Sequence, residues 1–222
     1  MISSIIFSKD RALQLDLTLK SILQNFPQCS QIAVINKCSK REHCDSYKIL
    51  KEEYKNISFV KQSDSIFRDI SRCVSRVKNK YVCFFTDDNI VYRHIGLNYN
   101  GFNGLEDLFN LNNACCLSLR LGKNTTTRDY GDGVLRPDNV PQLAWSDPYL
   151  LWNRTALPPG GYWSYPLSVD GHIFKKQDMM RFCKELSILD KNLSFKQTPN
   201  EFEGKLQRFW FDIPPVMASL EY

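Results

Sequence analysis

Two rhythms of apolar residues alternate along the first 90 positions of the chain. Residues 2–7, 32–35 and 57–60 are short apolar, β-branched runs of strand type. Each is followed by a stretch in which apolar residues recur every three or four positions, the spacing of one helical face. In the first such stretch Ala12, Leu15, Leu19, Ile22, Leu23 and Phe26 form the apolar face until Pro27, and Asp16, Lys20 and Gln24 are left for solvent. Tyr47, Leu50 and Tyr54 mark a second helix, and Phe67, Ile70, Val74 and Val77 a third. The third delivers the chain to Tyr81-Val82-Cys83-Phe84-Phe85-Thr86, a strand that stops abruptly at Asp87-Asp88-Asn89.

Strands separated by helices in this way predict right-handed crossovers and an α/β fold, with a mainly parallel central sheet flanked by helices. Residues 1–122 read as a Rossmann-like half. Residues 123–222 form the second half of the same single domain, and there the regular alternation fails. Positions 96–104 are rich in Asn and Gly, 105–111 predict a short helix, and 114–119 a fifth strand. Positions 122–163 then read as long and irregular, with many aromatics and Pro158-Pro159-Gly160-Gly161. Residues 170–174 look like a strand entrance and 175–186 like an amphipathic helix. Thr198-Pro199-Asn200-Glu201 is a capping box with proline at the first helical position, so a last helix carries Phe202, Leu206 and Phe209 inward. The end, from Ile213-Pro214-Pro215-Val216, reads as a non-helical tail.

Composition narrows the partners. A chain of 222 residues, 43% hydrophobic, can bury an ordinary core. A net charge of +5 suits an anionic small molecule or peripheral association with a membrane surface, and falls short of a polybasic nucleic-acid footprint. The eight cysteines include no Cys-x-x-Cys pair, and several stand inside apolar runs. They are expected to be free thiols of a cytoplasmic protein, since residues 1–7 do not form a signal peptide and no apolar run approaches membrane-spanning length.

The chemistry concentrates where the fourth strand ends. In an open α/β sheet the carboxyl ends of the strands face the ligand crevice, so Asp87 and Asp88 can hold a divalent cation against a substrate diphosphate. The alternative is that they only punctuate a turn. No Gly-x-Gly-x-x-Gly and no Gly-Lys-Ser/Thr follows the first strand, which leaves a carboxylate-bound metal to handle phosphates. Asp170 and His172 lie two residues apart on a strand and share a face, from which they could reach one metal or one substrate group. Trp163, with Trp145, Tyr149, Trp152 and Tyr162, offers either a stacking face for a sugar or an anchor to the core. Glu201 is accounted for by the capping box. Glu203 is not, and it is the better general-base candidate.

The order of elements over residues 1 to about 120, with Thr86-Asp87-Asp88-Asn89 at its last strand, resembles the GT-A fold of nucleotide-sugar glycosyltransferases. The family-2-like inverting enzymes are the nearest match, and the motif looks like their Asp-x-Asp element in the Thr-Asp-Asp-Asn form of spore-coat polysaccharide type members. The resemblance implies that Asp87 touches the ribose or metal and that Asp88 holds Mn²⁺ or Mg²⁺. It places Ser8, Asp10 and Arg11 at the loop that cradles the nucleotide, and Asn36 where the family often has an Asp that reads the base. Asp64 and Arg68 complete the nucleotide-binding set. His172 would be a further metal ligand, Asp170 and Trp163 acceptor or sugar contacts, and Glu203 or Glu201 the catalytic base.

The function so implied is metal-dependent transfer of a sugar from a nucleotide-diphosphate sugar, a UDP-sugar first, to a saccharide or other hydroxyl acceptor, with inversion. A nucleotidyltransferase is the first rival, although such enzymes carry a Gly-rich loop after the first strand and Ser8-Lys9-Asp10-Arg11 has no glycine. A non-catalytic nucleotide-sugar-binding module of the same fold is the second.

Overall fold

The computed structural model describes residues 1–97, 104–129, 132–146, 148–193, 195 and 197–220, so most of the Asn- and Gly-rich stretch expected at 96–104 lies outside the described residues. The first half alternates as its periodicity requires. It runs β1 (Ile2–Lys9), α1 (Ala12–Asn25), β2 (Cys29–Lys37), α2 (Arg41–Glu53), β3 (Ser58–Lys61), α3 (Ile66–Arg76), β4 (Tyr81–Thr86), α4 (Leu105–Asn110) and β5 (Ala114–Ser118). The second half supplies β6 (Thr127–Asp129), β7 (Leu135–Pro137), β8 (Ala144–Ser146), β9 (Tyr149–Asn153), β10 (His172–Lys175), α5 (Lys176–Leu193), α6 (Pro199–Leu206) and β11 (Val216–Leu220).

Among the described residues one sheet of nine strands runs β3-β2-β1-β4-β10-β5-β11-β9-β8, and β6 with β7 forms a separate antiparallel pair. The strands β3, β2, β1 and β4 are parallel, as crossovers through α1, α2 and α3 demand. From β10 onward the sheet is mixed. β10 is antiparallel to both β4 and β5, β11 is parallel to β5, and β9 is antiparallel to β11 and β8. The mainly parallel sheet expected from the sequence therefore holds for residues 1–86 and gives way to a mixed sheet beyond them. Both halves share this sheet.

Each face of the sheet carries its own core. Leu15, Leu19 and Ile22 of α1 and Tyr47 and Leu50 of α2 pack with Ile6, Val34 and Phe85 on one face. Phe67 and Ile70 of α3, Phe182 and Leu186 of α5, and Phe202 and Leu206 of α6 pack with Phe7, Phe84 and Phe174 on the other. At roughly 25 cal/mol for each Å² of apolar surface removed from water, such burial is the main favourable term holding the helices on.

One expectation for the second half needs correction, and the non-helical end proves to be a strand. The irregular stretch contributes β8 and β9 to the main sheet, and the tail after Pro215 is β11, a buried strand between β5 and β9. Arg154, only 1% exposed, directs that tail. Its Nε donates to the Pro214 carbonyl at 3.2 Å and its Nη2 to those of Trp210 and Ile213 at 2.7 and 3.1 Å, while the guanidinium lies 4.1 Å from the Trp210 ring centre.

The thiols differ as well. Cys38 and Cys44 are joined by a disulfide across the β2–α2 turn, and Cys29, Cys73, Cys83, Cys115, Cys116 and Cys183 are free. This overturns the expectation of eight free thiols and removes the thiol argument for a cytoplasmic setting. Titration of the denatured, unreduced protein is expected to count six thiols, rising by two after reduction; a count of eight before reduction would refute the pairing. Among the described residues, no helix is long and apolar enough to cross a membrane.

The start of α6 is capped from one side only. Thr198 Oγ1 accepts from the Glu201 N–H at 3.1 Å, while the Glu201 carboxylate turns away to Lys205 Nζ at 3.3 Å. The reciprocal half of the expected capping box is replaced by a surface ion pair, which contributes little. Thr198→Ala should therefore cost about 1 kcal/mol of stability in chemical unfolding. Glu201→Gln should change it by well under half that, contrary to the duty the sequence assigns to Glu201.

Candidate active site

Parallel pairing of β1 with β4, in register from Ile2 opposite Tyr81 to Phe7 opposite Thr86, brings Ser8 and Lys9 beside Asp87. The Lys9 N–H donates to Asp87 Oδ2 at 3.3 Å, and the buried Thr18 hydroxyl of α1 donates to the Asp87 carbonyl at 2.8 Å. Asn89 Oδ1 accepts from the Thr86 N–H at 2.8 Å, closing the tight turn that follows the strand. The turn reading of this motif holds in this hydrogen bond. Burial pushes the Asp87 carboxyl above its ordinary value, opposed by Ser8, the Lys9 N–H and Arg11. Asp88 is exposed and takes the Thr86 hydroxyl at 2.6 Å. Arg11 Nη1 stands between the two acids, 3.5 Å from Asp87 Oδ1 and 3.3 Å from Asp88 Oδ2.

The facing wall comes from the second half of the chain. Gly171, at φ +67°, turns the chain into β10 in a conformation L side chains rarely adopt. Its N–H donates to the Phe84 carbonyl and its carbonyl accepts from the Leu119 N–H, both at 2.8 Å, so Asp170 is fixed where β4, β10 and β5 meet. Asp170 Oδ1 lies 3.1 Å from the Thr86 hydroxyl and 3.4 Å from Asn89 Nδ2. Arg120 Nη1 lies 3.6 Å from Asp170 Oδ2, and its guanidinium sits 4.7 Å from the Tyr162 ring centre.

Glu203 enters from α6, where Oε1 accepts from the Val169 N–H at 3.1 Å. Burial pushes its carboxyl up, partly offset by Ser168 and the Val169 N–H, and the Asp170 charge adds to the rise. Gln197 anchors the approach to α6. Its Oε1 accepts from the Ile66 N–H at 2.6 Å and its Nε2 donates to Asp190 Oδ1 at 2.9 Å.

These walls enclose a cleft of about 650 Å³, within the range of sites for small-molecule ligands. Of the residues singled out in the sequence, Ser8, Arg11, Asp87, Asp88, Asp170 and Glu203 line it together. The others lie elsewhere. Asp10 has turned, at φ +60°, to accept from the Ser39 N–H and hydroxyl at 2.6 and 2.8 Å, so it ties the β1 loop to the β2 loop. Asn36 is 3% exposed between the lining residues Ile35 and Lys37, and its Oδ1 has no partner. Asp64, Arg68 and Glu201 are outside the lining.

Trp163 is fully buried, with Nε1 donating to the Thr125 carbonyl at 3.0 Å and its ring edge-on to Trp152 at 4.9 Å. It has no face left for a sugar, so the anchoring reading holds. His172 is also fully buried, Nδ1 against the Pro166 carbonyl at 3.0 Å. Burial, with the nearby Arg120 charge, lowers its pKa to about 3, and it lies outside the cleft lining rather than beside Asp88.

Arg120 and Gln197 were missed as site residues in the sequence, and Lys9 entered only as part of the Ser8-Lys9-Asp10-Arg11 loop. Arg120 had a usable signal, because it lies two residues past the end of β5 and so falls on the same sheet edge as Asp170.

Among the described residues no three metal-ligating side chains converge. Asp87 and the exposed Asp88 nevertheless suit an ion of the Mg²⁺ type, which takes one or two carboxylates and fills its remaining positions from substrate phosphates and water. The Arg11 guanidinium now stands between them.

The fold and cleft define an α/β protein with a central sheet, parallel in its first half, whose carboxyl edge carries two acids above a cleft. The chain is similar to residues 1–349 of S. aureus TarS, with a TM-score of 0.54 at 13% identity over 99% of this chain and 58% of that one. The same protein in complex with UDP-GlcNAc gives 0.52 at 13% identity, over 99% and 56%. A 4-diphosphocytidyl-2C-methyl-D-erythritol synthase from Anaerococcus prevotii gives 0.52 at 15%, over 100% and 86%. At such identities these likenesses show the fold alone. In sequence, the chain is 26% identical over 190 residues to the bifunctional glycosyltransferase pgtA of Dictyostelium discoideum, across 79% of this chain and only 24% of that protein. No family model matches.

Proposed function

We propose that the chain is a metal-dependent glycosyltransferase that moves a sugar from a nucleotide-diphosphate sugar, a UDP-sugar first, to an acceptor hydroxyl with inversion. The observation that carries this reading is the meeting of Asp87, Asp88, Arg11 and Lys9 with Asp170 and Glu203 across one cleft. The similarity to pgtA supports glycosyl transfer. In this reading residues 1–122 bind the nucleotide-sugar and residues 123–222 the acceptor. Asp88, with Asp87, would hold Mn²⁺ or Mg²⁺, which supplies neutralising charge to the diphosphate when bound.

The rest falls to the chain's own groups. Arg11 and the Lys9 side chain offer positive charge to phosphate oxygens, and Ser8 lines the nucleotide end. Glu203 takes the proton of the acceptor hydroxyl as it attacks the anomeric carbon, and the diphosphate leaves from the opposite face. Its raised pKa makes it a stronger base than an ordinary glutamate, and the Val169 N–H aims it. Asp170 is the second base candidate, because it lines the same wall.

The nucleotidyltransferase reading retains one supporting observation, the fold likeness to the A. prevotii synthase. Incubation with UDP-sugars or with CTP and UTP, each with Mn²⁺, separates the readings. Glycosyl transfer releases UDP, whereas nucleotidyl transfer releases pyrophosphate. Release of pyrophosphate alone would reject the proposal, and nucleotide binding with no turnover on any acceptor would favour the non-catalytic module.

A further inference from the structure

Beyond the Asp88 turn the cleft opens into a second hollow of about 210 Å³. Its floor is hydrocarbon, built from Phe85, Ile95, Leu119 and Leu220. Phe85, Ile95 and Leu220 are each no more than 5% exposed, so the floor belongs to the packed core. The wall formed by residues 90–95 is held on α1. Asn25 Nδ2 donates to the Val91 carbonyl at 2.5 Å, the Val91 N–H donates to Ser21 Oγ at 3.1 Å, and the Ile95 N–H donates to the Asn25 carbonyl at 2.7 Å. Polar groups stand in the lining too, and two of them, Asn89 and Asp170, are shared with the nucleotide cleft.

That division selects a ligand. A hydroxyl turned to the floor would lose its water without gaining a partner there, an unfavourable exchange. A pyranose edge, ringed by equatorial hydroxyls, is therefore a poor fit to that floor, while a group that is apolar at one end and polar at the other fits both parts of the lining. The volume lies under the roughly 300 to 1,000 Å³ of sites for drug-sized ligands, and so suits a single ring.

We propose that this hollow receives the apolar end of the acceptor, so that the acceptor is a hydroxyl compound with a compact hydrophobic group one or two bonds from its accepting oxygen. This rests on the glycosyltransferase reading and deepens it. With the apolar group seated, the hydroxyl lies at the rim beside Asp170, where the hollow joins the cleft. Arg120, paired with Asp170 and stacked on Tyr162, is the positioning residue of that junction.

The test uses benzyl alcohol and methyl glucopyranoside as probes in ligand-observed NMR, on the protein with and without UDP and Mn²⁺. Benzyl alcohol is expected to bind and methyl glucopyranoside not to. Leu119→Trp, which fills the hollow, should weaken benzyl alcohol at least tenfold while UDP affinity by calorimetry stays unchanged. Ile90→Glu charges an exposed wall residue without burying anything, and should do the same where Leu119→Trp fails to fold.

Equal binding of benzyl alcohol to the parent and to a folded variant would overturn the proposal, as would preference for the glucoside. Displacement of benzyl alcohol by UDP-GlcNAc but not by UDP would also overturn it, assigning the hollow to the donor's sugar. Failure of the parent to bind UDP would instead strike the nucleotide reading, and it is read in a separate titration.

Discussion

Calorimetry of the Asp88→Ala protein is expected to show no Mn²⁺-dependent binding of UDP, with the parent's melting temperature retained. The fold should survive because the Asp88 side chain is 59% exposed and its contacts are local, to the Thr86 hydroxyl and to Arg11. Binding should not, because the cation that screens a diphosphate contributes several kcal/mol. Each ~1.4 kcal/mol is a tenfold change, so a loss of about a hundredfold or more follows. Asp87→Ala should combine that loss with a lower melting temperature, since Asp87 is 5% exposed and accepts from the Lys9 N–H. Unaltered affinity and metal dependence in the Asp88→Ala protein would remove the metal from these acids.

The second large effect is expected at Glu203. Glu203→Gln keeps the shape of the side chain and its acceptor for the Val169 N–H while abolishing basicity. Turnover should fall by roughly a hundredfold or more, the usual contribution of a general base, with UDP affinity unchanged. The pH profile of the parent carries the same signature. Burial, the largest cause, raises the Glu203 pKa above the ordinary 4.5, and a base must be ionised, so the acidic limb of turnover should have its midpoint above that value.

Stability runs the other way. Because the folded-state pKa is raised, the contribution of the protonated carboxyl is complete below the unfolded value and is lost as pH rises through the folded one. At neutral pH Glu203→Gln escapes that loss and should melt no lower than the parent. A Glu203→Gln protein with full turnover would pass the role to Asp170, to be checked by Asp170→Asn.

Much of the cleft was legible because its signals are local. An apolar run ending in Asp87-Asp88-Asn89 marks the carboxyl end of a strand whatever else the chain does, and helical spacing over residues 12–26 demands that the neighbouring strands lie parallel. Glu203 was singled out because the capping box was expected to occupy Glu201, and it lines the cleft. Glu201 shows the limit of such arithmetic, because its carboxylate prefers Lys205 to the box drawn for it.

Other features depended on where distant segments met. Arg120 reaches Asp170, fifty positions away in the chain, only because β10 lies between β4 and β5. His172 and Asp170 do share a strand entrance, yet one was delivered to the core and the other to the cleft. Trp163 offered the same aromatic face as any exposed tryptophan until Trp152 and the Thr125 carbonyl consumed it. The strand β11, which holds Ala218 and Ser219, carries little strand propensity of its own, and its burial between two others settles its state.

The amino-acid sequence by itself determined the α/β alternation of residues 1–86 and the two acids at its edge, because helical and strand periodicity and the residues that end a strand act within a few positions of one another. Tertiary structure alone decided the mixed second half of the sheet, the disulfide of Cys38 with Cys44, the burial of Trp163 and His172, and the meeting of Asp170, Arg120 and Glu203. Those outcomes turn on which apolar faces find each other across long stretches of chain, and burial energy, being non-directional, leaves no periodic trace of that choice in the sequence.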